Sequence, residues 1–322
     1  MPVINHQDLL SQYSFNTPLI KINNFGKLLG YTNIWVKHED LNPNSCFKDR
    51  ESLIIVLKAI EKNIRSIHLV SSGNAALSTA AFAQKFNLKC TCFVPSKTTQ
   101  EKQDLIRLFG AKLILINGFY EDVYRKVINS KYKSWNVTAG QNVFRGEGDK
   151  TIAFELWEQI GVPDYILVPC GNGTNLAGIF KGFWELKQLG KIKRLPKMIG
   201  VQIKGADPLK KALFANKDFV ILKDIKDSVA EGIVAEESYD SPKAIRAIND
   251  SKGYIISVTD REIKQALKSI IKLESIVPEI TSASVYAALI KLKVNKKSKI
   301  VVINTGSGMK TIREINALIV GS

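Results

Sequence analysis

Pro169-Cys170-Gly171-Asn172-Gly173-Thr174-Asn175 lies between a short apolar run, Tyr165 to Val168, and an amphipathic stretch from about Asn175 to Leu189. The run has the length of a buried strand, and the stretch after it has the period of a helix. A glycine-rich turn from strand to helix presents backbone N–H groups at the positive end of the helix dipole, where they can cradle a phosphate. The same residues also fit a plain tight turn. Two commoner phosphate motifs do not fit. A dinucleotide loop needs a third glycine where Leu176 stands, and a P-loop needs Gly-Lys-Ser/Thr, whereas Gly178 is followed by Ile179 and Phe180.

The alternation of apolar run and amphipathic stretch continues in both directions. Strands are predicted at Asn33 to Lys37, Ser66 to Ser71, Thr91 to Val94 and Lys112 to Ile116, followed by helices at Lys48 to Lys62, Ala75 to Phe86, Thr99 to Phe109 and Tyr120 to Ser130. Further strands are expected at Met198 to Gln202, Ile255 to Val258 and Lys299 to Ile303, with helices at Pro242 to Ser251, Asp260 to Leu273 and Ser282 to Lys291. This pattern predicts an α/β fold with open, largely parallel sheets flanked by helices. No repeat, low-complexity tract or Pro-rich linker interrupts it, so any domain boundary is expected to be a crossing of strands. The loop Asn136 to Thr151 is the longest Gly-rich polar stretch, long enough to suggest function.

Composition narrows the class. A chain of 322 residues that is 45% hydrophobic and 24% charged is neither disordered nor fibrous. No uninterrupted apolar run approaches the ~18 residues of a membrane span, and Met1 to Leu10 lacks the charged start and apolar core of a secretory leader. A soluble, cytoplasmic protein with no membrane partner is therefore expected. Cys46, Cys90, Cys92 and Cys170 are too scattered for a disulfide framework, and His6, His38 and His68 are isolated from them, so no metal site is expected. The balance of 46 Lys+Arg against 30 Asp+Glu, a net charge of +16, fits a nucleic-acid partner, capture of anionic small molecules or a solvated lysine-rich surface. Basic residues cluster at Lys187 to Lys197 and Lys291 to Lys299 without interleaved aromatics, which argues against nucleic acid.

Two more glycine loops end predicted strands: Ser71-Ser72-Gly73-Asn74-Ala75 and Asn304-Thr305-Gly306-Ser307-Gly308. Ligands of open α/β sheets bind beyond the carboxyl ends of strands, so these loops can converge on one crevice. Asn42-Pro43-Asn44-Ser45-Cys46-Phe47-Lys48-Asp49-Arg50 then places Lys48 on the first turn of a helix, where the dipole disfavours a positive charge. Alone, Lys48 reads as a surface lysine. Beside three such loops it reads as an amine able to form a Schiff base.

In this order and spacing, Asn-Pro-x-x-Cys-Phe-Lys-Asp-Arg, Ser-Ser-Gly-Asn, Gly-Asn-Gly-x-Asn and Thr-Gly-x-Gly-Met-Lys resemble the threonine synthase branch of the tryptophan-synthase-like (fold type II) pyridoxal-phosphate-dependent enzymes. The likeness runs from about Thr17 to Ile312 and includes Phe144-Arg145-Gly146-Glu147-Gly148-Asp149-Lys150-Thr151. It implies two lobes with pyridoxal 5'-phosphate in the cleft between them: a small mobile lobe of residues 50–134 and a large lobe of residues 1–49 plus 135–322. It implies that Lys48 holds the cofactor and shuttles protons, that Asn74 bonds the ring's 3'-oxygen, and that Gly171, Asn172, Gly173, Thr174 and Asn175 bind the phosphate. Thr305 would face the pyridine nitrogen, where a hydroxyl, unlike a carboxylate, leaves the nitrogen largely unprotonated. Ser72, Gly73, Ala75, Ala76, Asn142, Arg145 and Lys150 fall at substrate positions. Arg145 suits an anionic substrate group such as a phosphate, or an ion pair with Glu147.

The activity implied is that of a lyase of amino-acid biosynthesis, converting O-phosphohomoserine and water to threonine and phosphate, in a homodimer that acts on a small amino-acid substrate. Departures from the usual pattern cluster at substrate positions: Ala75 and Ala76 replace hydroxyl residues, Gly140-Gln141-Asn142-Val143 replaces a serine-containing segment, and Thr174 stands where glycine is usual. They keep open β-elimination or β-replacement on serine, O-phosphoserine or threonine, as in dehydratases and cysteine or cysteate synthases. A distant alternative is a basic nucleic-acid-binding scaffold without catalysis. Cys46 reads as a reactive thiol or as a small space-filling residue, and Val229-Ala230-Glu231-Gly232-Ile233 as a stretch beside the ring or an ordinary connection.

Overall fold

The computed structural model describes residues 15–320; the Met1 to Leu10 segment weighed above as a leader lies outside the described residues. The strands among them are β1 (Leu19–Ile22), β2 (Ile34–His38), β3 (Ser66–Val70), β4 (Lys89–Pro95), β5 (Lys112–Ile116), β6 (Trp135–Asn136), β7 (Tyr165–Pro169), β8 (Lys197–Ile203), β9 (Tyr254–Val258) and β10 (Ile300–Asn304). They divide into two compact units, one built on Lys48–Asp149 and the other on Asn16–Phe47 with the chain from Lys150 onward.

The smaller unit holds a parallel sheet in the order β5-β4-β3-β6. Helices Lys48–Glu61 and Asn74–Lys85 cover it and enclose a core that includes Leu53, Ile55, Leu57, Leu69, Ala80 and Cys92. From β3 the chain moves outward to β4 and β5, then returns to lay β6 on the other side of β3. That reversal makes the gap between β3 and β6 a topological switch point, the place where such sheets open a crevice. The Ser71–Asn74 loop leaves the carboxyl end of β3, and the segment leading to Arg145 leaves that of β6. The two strand ends are tied together where Val70 N donates to Thr138 Oγ1 at 3.1 Å.

This unit extends to Asp149 rather than to the expected residue 134, and begins at Lys48 rather than 50. The reason is local. β6 pairs with β3, and the short helix Arg145–Asp149 packs on Lys48–Glu61 so closely that a Cβ on Gly148 would lie 2.2 Å from the Arg50 carbonyl oxygen. The stretch read as one long polar loop therefore contains the end of a strand and a helix.

The larger unit carries a sheet in the order β1-β2-β10-β7-β8-β9, parallel except for β1, which runs antiparallel to β2. Helices Asp260–Glu274 and Ile280–Lys291 bury one face through Leu267, Ala288, Val302 and Val36. Helices Thr151–Ile160, Thr174–Gln188 and Ser241–Asp250 bury the other through Leu156, Ile179, Val168 and Ile303. The chain leaves β7 toward β8 and β9 and then returns to place β10 on the far side of β7, so this sheet also has a switch point, between β7 and β10. The glycine loops after β7 and β10 emerge there side by side. The basic segments end at the amino ends of the strands, where Lys197 opens β8 and Lys299 precedes β10. Among the described residues no helix is long and apolar enough to cross a membrane.

Candidate functional site

In the larger unit, Gly173 has φ +88, a left-handed conformation that side chains disfavour, and a Cβ there would lie 2.7 Å from that of Ala244. The carbonyls of the loop are held by the segment before helix Ser241–Asp250: Ser238 Oγ donates to Gly171 O at 2.6 Å and Asp240 N to Asn172 O at 3.0 Å. Thr174 Oγ1 donates to Asp240 Oδ2 at 2.6 Å. With its carbonyls turned into the protein, the loop leaves the N–H groups of Gly171, Asn172, Gly173, Thr174 and Asn175 without an acceptor among the described residues. Asn175 is 5% exposed, and neither atom of its amide has a partner. Donors of this kind, on the first turn of a fifteen-residue helix, fit the phosphate of pyridoxal phosphate. Gly171 also lies against the backbone of Gly232, whose carbonyl oxygen would be 3.1 Å from an added Cβ; Gly232 and Glu231 are themselves exposed.

On the neighbouring strand end, Thr305 is buried, with its hydroxyl 2.7 Å from Ser282 Oγ. Its carbonyl accepts from Phe47 N at 3.0 Å, Ser307 N donates to Ser45 O at 3.0 Å, and Cys46 bridges to Gly306. The peptide immediately before Lys48 is thus stitched to the Thr305 loop. Cys46 is fully buried in that stitch, in the manner of a space-filling residue, and burial pushes the Cys170 thiol up to about 12. Lys150 is also enclosed, with Nζ 3.0 Å from Glu185 Oε1. Among the described residues no group of three His, Cys, Asp or Glu is placed to hold a metal ion.

In the smaller unit, Lys48 opens its helix and sets Nζ 2.5 Å from Glu51 Oε1, one turn along. Glu51 is fully buried, and its Oε2 accepts from Arg145 Nη1 at 2.7 Å. Arg145 is likewise enclosed; its Nε donates to Val137 O at 2.5 Å and its Nη2 to Thr79 Oγ1 at 3.4 Å. Burial acts to raise the Glu51 carboxyl, but the charges of Lys48 and Arg145 and their hydrogen bonds outweigh it and hold the group below its ordinary range. The anion that Arg145 meets is therefore the protein's own Glu51, a partner absent from the sequence reading, which offered a substrate phosphate or Glu147. Asn142, expected at the substrate, shapes its own loop: Nδ2 donates to Asn136 O at 3.0 Å and Oδ1 accepts from Phe144 N at 3.1 Å.

Asn74 opens the second helix of this unit, after Gly73, around which nothing lies within 4 Å of an added Cβ. Ser72 and Ala75 are half-buried beside it, and Ala76 is sealed into the core. Sequence reasoning missed Glu51, Ser282, Ser238 and Asp240. For Glu51 a signal was present, since its spacing from Lys48 puts both on one helix face.

Two glycine loops at one sheet's switch point and an orphaned donor set on a helix start suit an α/β enzyme that binds a phosphorylated cofactor. The model of the family described as pyridoxal-phosphate dependent enzyme matches residues 10–306, and the chain belongs to that family. Its cofactor is accordingly pyridoxal 5'-phosphate. The chain is 36% identical over 318 residues to the threonine synthase of Methanocaldococcus jannaschii, covering 96% of this chain and 78% of that protein. It is 34% identical over 303 residues to the threonine synthase of Methanosarcina acetivorans, covering 91% and 75%. Among solved structures, an L-serine ammonia-lyase from Rhizomucor miehei superposes with a TM-score of 0.81 at 20% identity, over 94% of this chain and 97% of that one. The last of these likenesses concerns the fold; the first two lie in the threonine synthase branch.

Proposed function

We propose that the chain is a cytoplasmic, homodimeric threonine synthase, releasing phosphate from O-phosphohomoserine and adding water to give threonine. Its likeness to two threonine synthases over most of its length supports the activity. The observation that carries the cofactor chemistry is the set of unpartnered N–H groups from Gly171 to Asn175 with the orphaned Asn175 amide. Lys48 would hold the cofactor's aldehyde, Gly171–Asn175 its phosphate, Asn74 its 3'-oxygen, and Thr305, braced by Ser282, would face its ring nitrogen. When bound, pyridoxal phosphate supplies an electron sink for the pair left when a proton leaves the amino acid.

The chain's own residues do the rest. The amine of Lys48, once released by the substrate amine, takes the α-proton and later returns it. Backbone N–H groups of Ser72 and Ala75 would receive the substrate carboxylate at the helix start, while those of Gly73 and Ala76 already donate to Ser71 Oγ and Gly73 O. Asn142 and Lys150 contribute by fixing the loop ahead of Arg145 and the start of helix Thr151–Ile160.

One observation favours a second reading, β-elimination or β-replacement on serine, O-phosphoserine or threonine: Arg145 is already neutralised by Glu51 rather than open to a phosphate. Incubation of cofactor-loaded protein with O-phosphohomoserine, O-phosphoserine, threonine and serine, with assays for phosphate, 2-oxo acid and amino acids, separates the two. Equal amounts of phosphate and threonine from the first substrate support the synthase; its inertness beside turnover of another moves the assignment to the second reading.

A further inference from the structure

We propose that Glu51 is the positioning residue of Lys48: a fixed internal counter-ion, clamped by Arg145, that receives the lysine's ammonium and aims it. The inference rests on the assignment of Lys48 as the cofactor lysine and adds a residue that the assignment does not contain.

The geometry divides the labour of the carboxylate between its oxygens. Oε1 is 2.5 Å from Lys48 Nζ, and Oε2 is 2.7 Å from Arg145 Nη1. Glu51 and Arg145 have no exposed side-chain surface, whereas Lys48 retains 18%. The lysine is therefore the member of the trio that can reach outward, and the other two form its enclosed base. Arg145 cannot swing away, because Val137 O and Thr79 Oγ1 hold its remaining nitrogens and Gly148 lets its helix close onto the Arg50 backbone. A carboxylate in the first turn of a helix is also where the dipole favours an anion.

Asp49, next to Lys48, accepts from Ser78 Oγ at 2.6 Å, and helix Asn74–Lys85 brings the hydroxyls of Ser78 and Thr79 to the cluster. Cys92 and Tyr120 feel Arg145, but the hydrogen bond to Cys90 together with burial pushes the thiol up, and burial pushes the phenol up, so both are neutral at physiological pH. Lys48 and Arg145 thus both pair with the Glu51 carboxylate. When Lys48 takes a proton from the substrate carbon, the C–H bond breaks, an N–H bond forms, and the positive charge develops on the amine that Glu51 holds. When the proton is given back, the same contact keeps the amine oriented. A fixed counter-ion of this kind needs no solvent reorganisation during the transfer.

The test uses cofactor-free protein. Lys48 is acylated competitively with acetic anhydride at neutral pH, and its rate is read by mass spectrometry against exposed Lys62. In Glu51→Gln the amine loses the carboxylate that Arg145 clamps beside it, so Lys48 acylates about tenfold faster relative to Lys62. Glu51→Asp, which keeps the charge, returns the rate most of the way to the parent's. In the loaded enzyme Glu51→Gln lowers kcat with KM little changed, as expected for a group acting through Lys48. Because Glu51→Gln strands a buried cation, the double variant Glu51→Gln/Arg145→Met, which leaves no unpaired charge in the core, is the second arm and is expected to show the faster rate as well.

An unchanged Lys48 rate in a folded variant overturns the proposal. Borohydride reduction of loaded parent protein and peptide mapping keep the premise separate. Cofactor on a lysine other than Lys48 defeats the underlying assignment, whereas cofactor on Lys48 with unaltered acylation defeats the role of Glu51 alone.

Discussion

Gly148→Ala is expected to unclamp the Lys48–Glu51–Arg145 trio without touching any of its members. The added Cβ would lie 2.2 Å from the carbonyl oxygen of Arg50 and 2.7 Å from Glu51 N, against at least 3.4 Å for ordinary contact. Relief of the worst clash requires helix Arg145–Asp149 to withdraw by about 1.2 Å, and the obstacle is backbone, which cannot rotate aside as a side chain does. A withdrawal of that size stretches the Arg145–Glu51 contact from 2.7 Å to nearly 4 Å, beyond hydrogen-bonding range. Overpacking costs about 1–3 kcal/mol, and loosening a buried pair costs up to about 3–5 kcal/mol. Because movement relieves the first at the expense of the second, a net loss of about 3 kcal/mol is expected. At roughly 2–4 °C per kcal/mol, Tm falls by roughly 6–12 °C. Circular dichroism measures the melt, and hydrogen exchange measures protection of helix Lys48–Glu61, which should drop. Gly73→Ala is the control, since nothing lies within 4 Å of its Cβ and its backbone is not left-handed; its stability should stay within about 0.5 kcal/mol of the parent. A Gly148→Ala protein that melts within about 1 °C of the parent, with unaltered exchange, refutes the reasoning.

Gly173→Ala forces a side chain into φ +88 and to 2.7 Å from Ala244 Cβ, so cofactor affinity, read by absorbance titration, should fall about tenfold or more. Thr259 and Glu262 form a capping box on helix Asp260–Glu274, and Thr259→Ala should cost about 1 kcal/mol, read as a shift of the denaturation midpoint. Partial burial opposes ionisation of Glu262, but the Thr259 N–H and hydroxyl and the Lys291 ammonium outweigh it and hold the carboxyl low. Its stabilisation is therefore complete above the unfolded value of 4.5 and is lost as pH falls through the folded value, so an acid titration of Glu262→Gln should converge with the parent at the acid end. Cys46, Cys90, Cys92 and Cys170 are all buried, and with Cys170 at about 12, native protein should resist a thiol-specific disulfide reagent at pH 8, while denatured protein reacts fully.

What was legible in the sequence follows from how local each feature is. The Gly171–Asn175 turn could be read because strand, glycines and helix are contiguous and because Gly173 sits where the backbone turns left-handed. Lys48 at a helix start could be read for the same reason. Arg145 could not: its partner Glu51 is 94 residues away in the chain, and the nearer Glu147 was the natural guess. The smaller unit overran its expected end because β6 is two residues long, too short to show alternation, and because the contact that holds helix Arg145–Asp149 is made by a glycine, which carries no hydropathy signal. Strand β1 was passed over as a short edge with mostly outward positions. The meaning of the net charge of +16 was not legible, because a composition does not say where in the fold the lysines stand.

The reaction of O-phosphohomoserine with cofactor-loaded protein, run in parallel on the parent and on Lys48→Ala, tests the assignment most directly. The parent is predicted to release threonine and inorganic phosphate in equal amounts, and Lys48→Ala to release neither while keeping the parent's circular dichroism. Release of both products by Lys48→Ala at the parent's rate, or a parent inert to O-phosphohomoserine that turns over serine or O-phosphoserine, would contradict it.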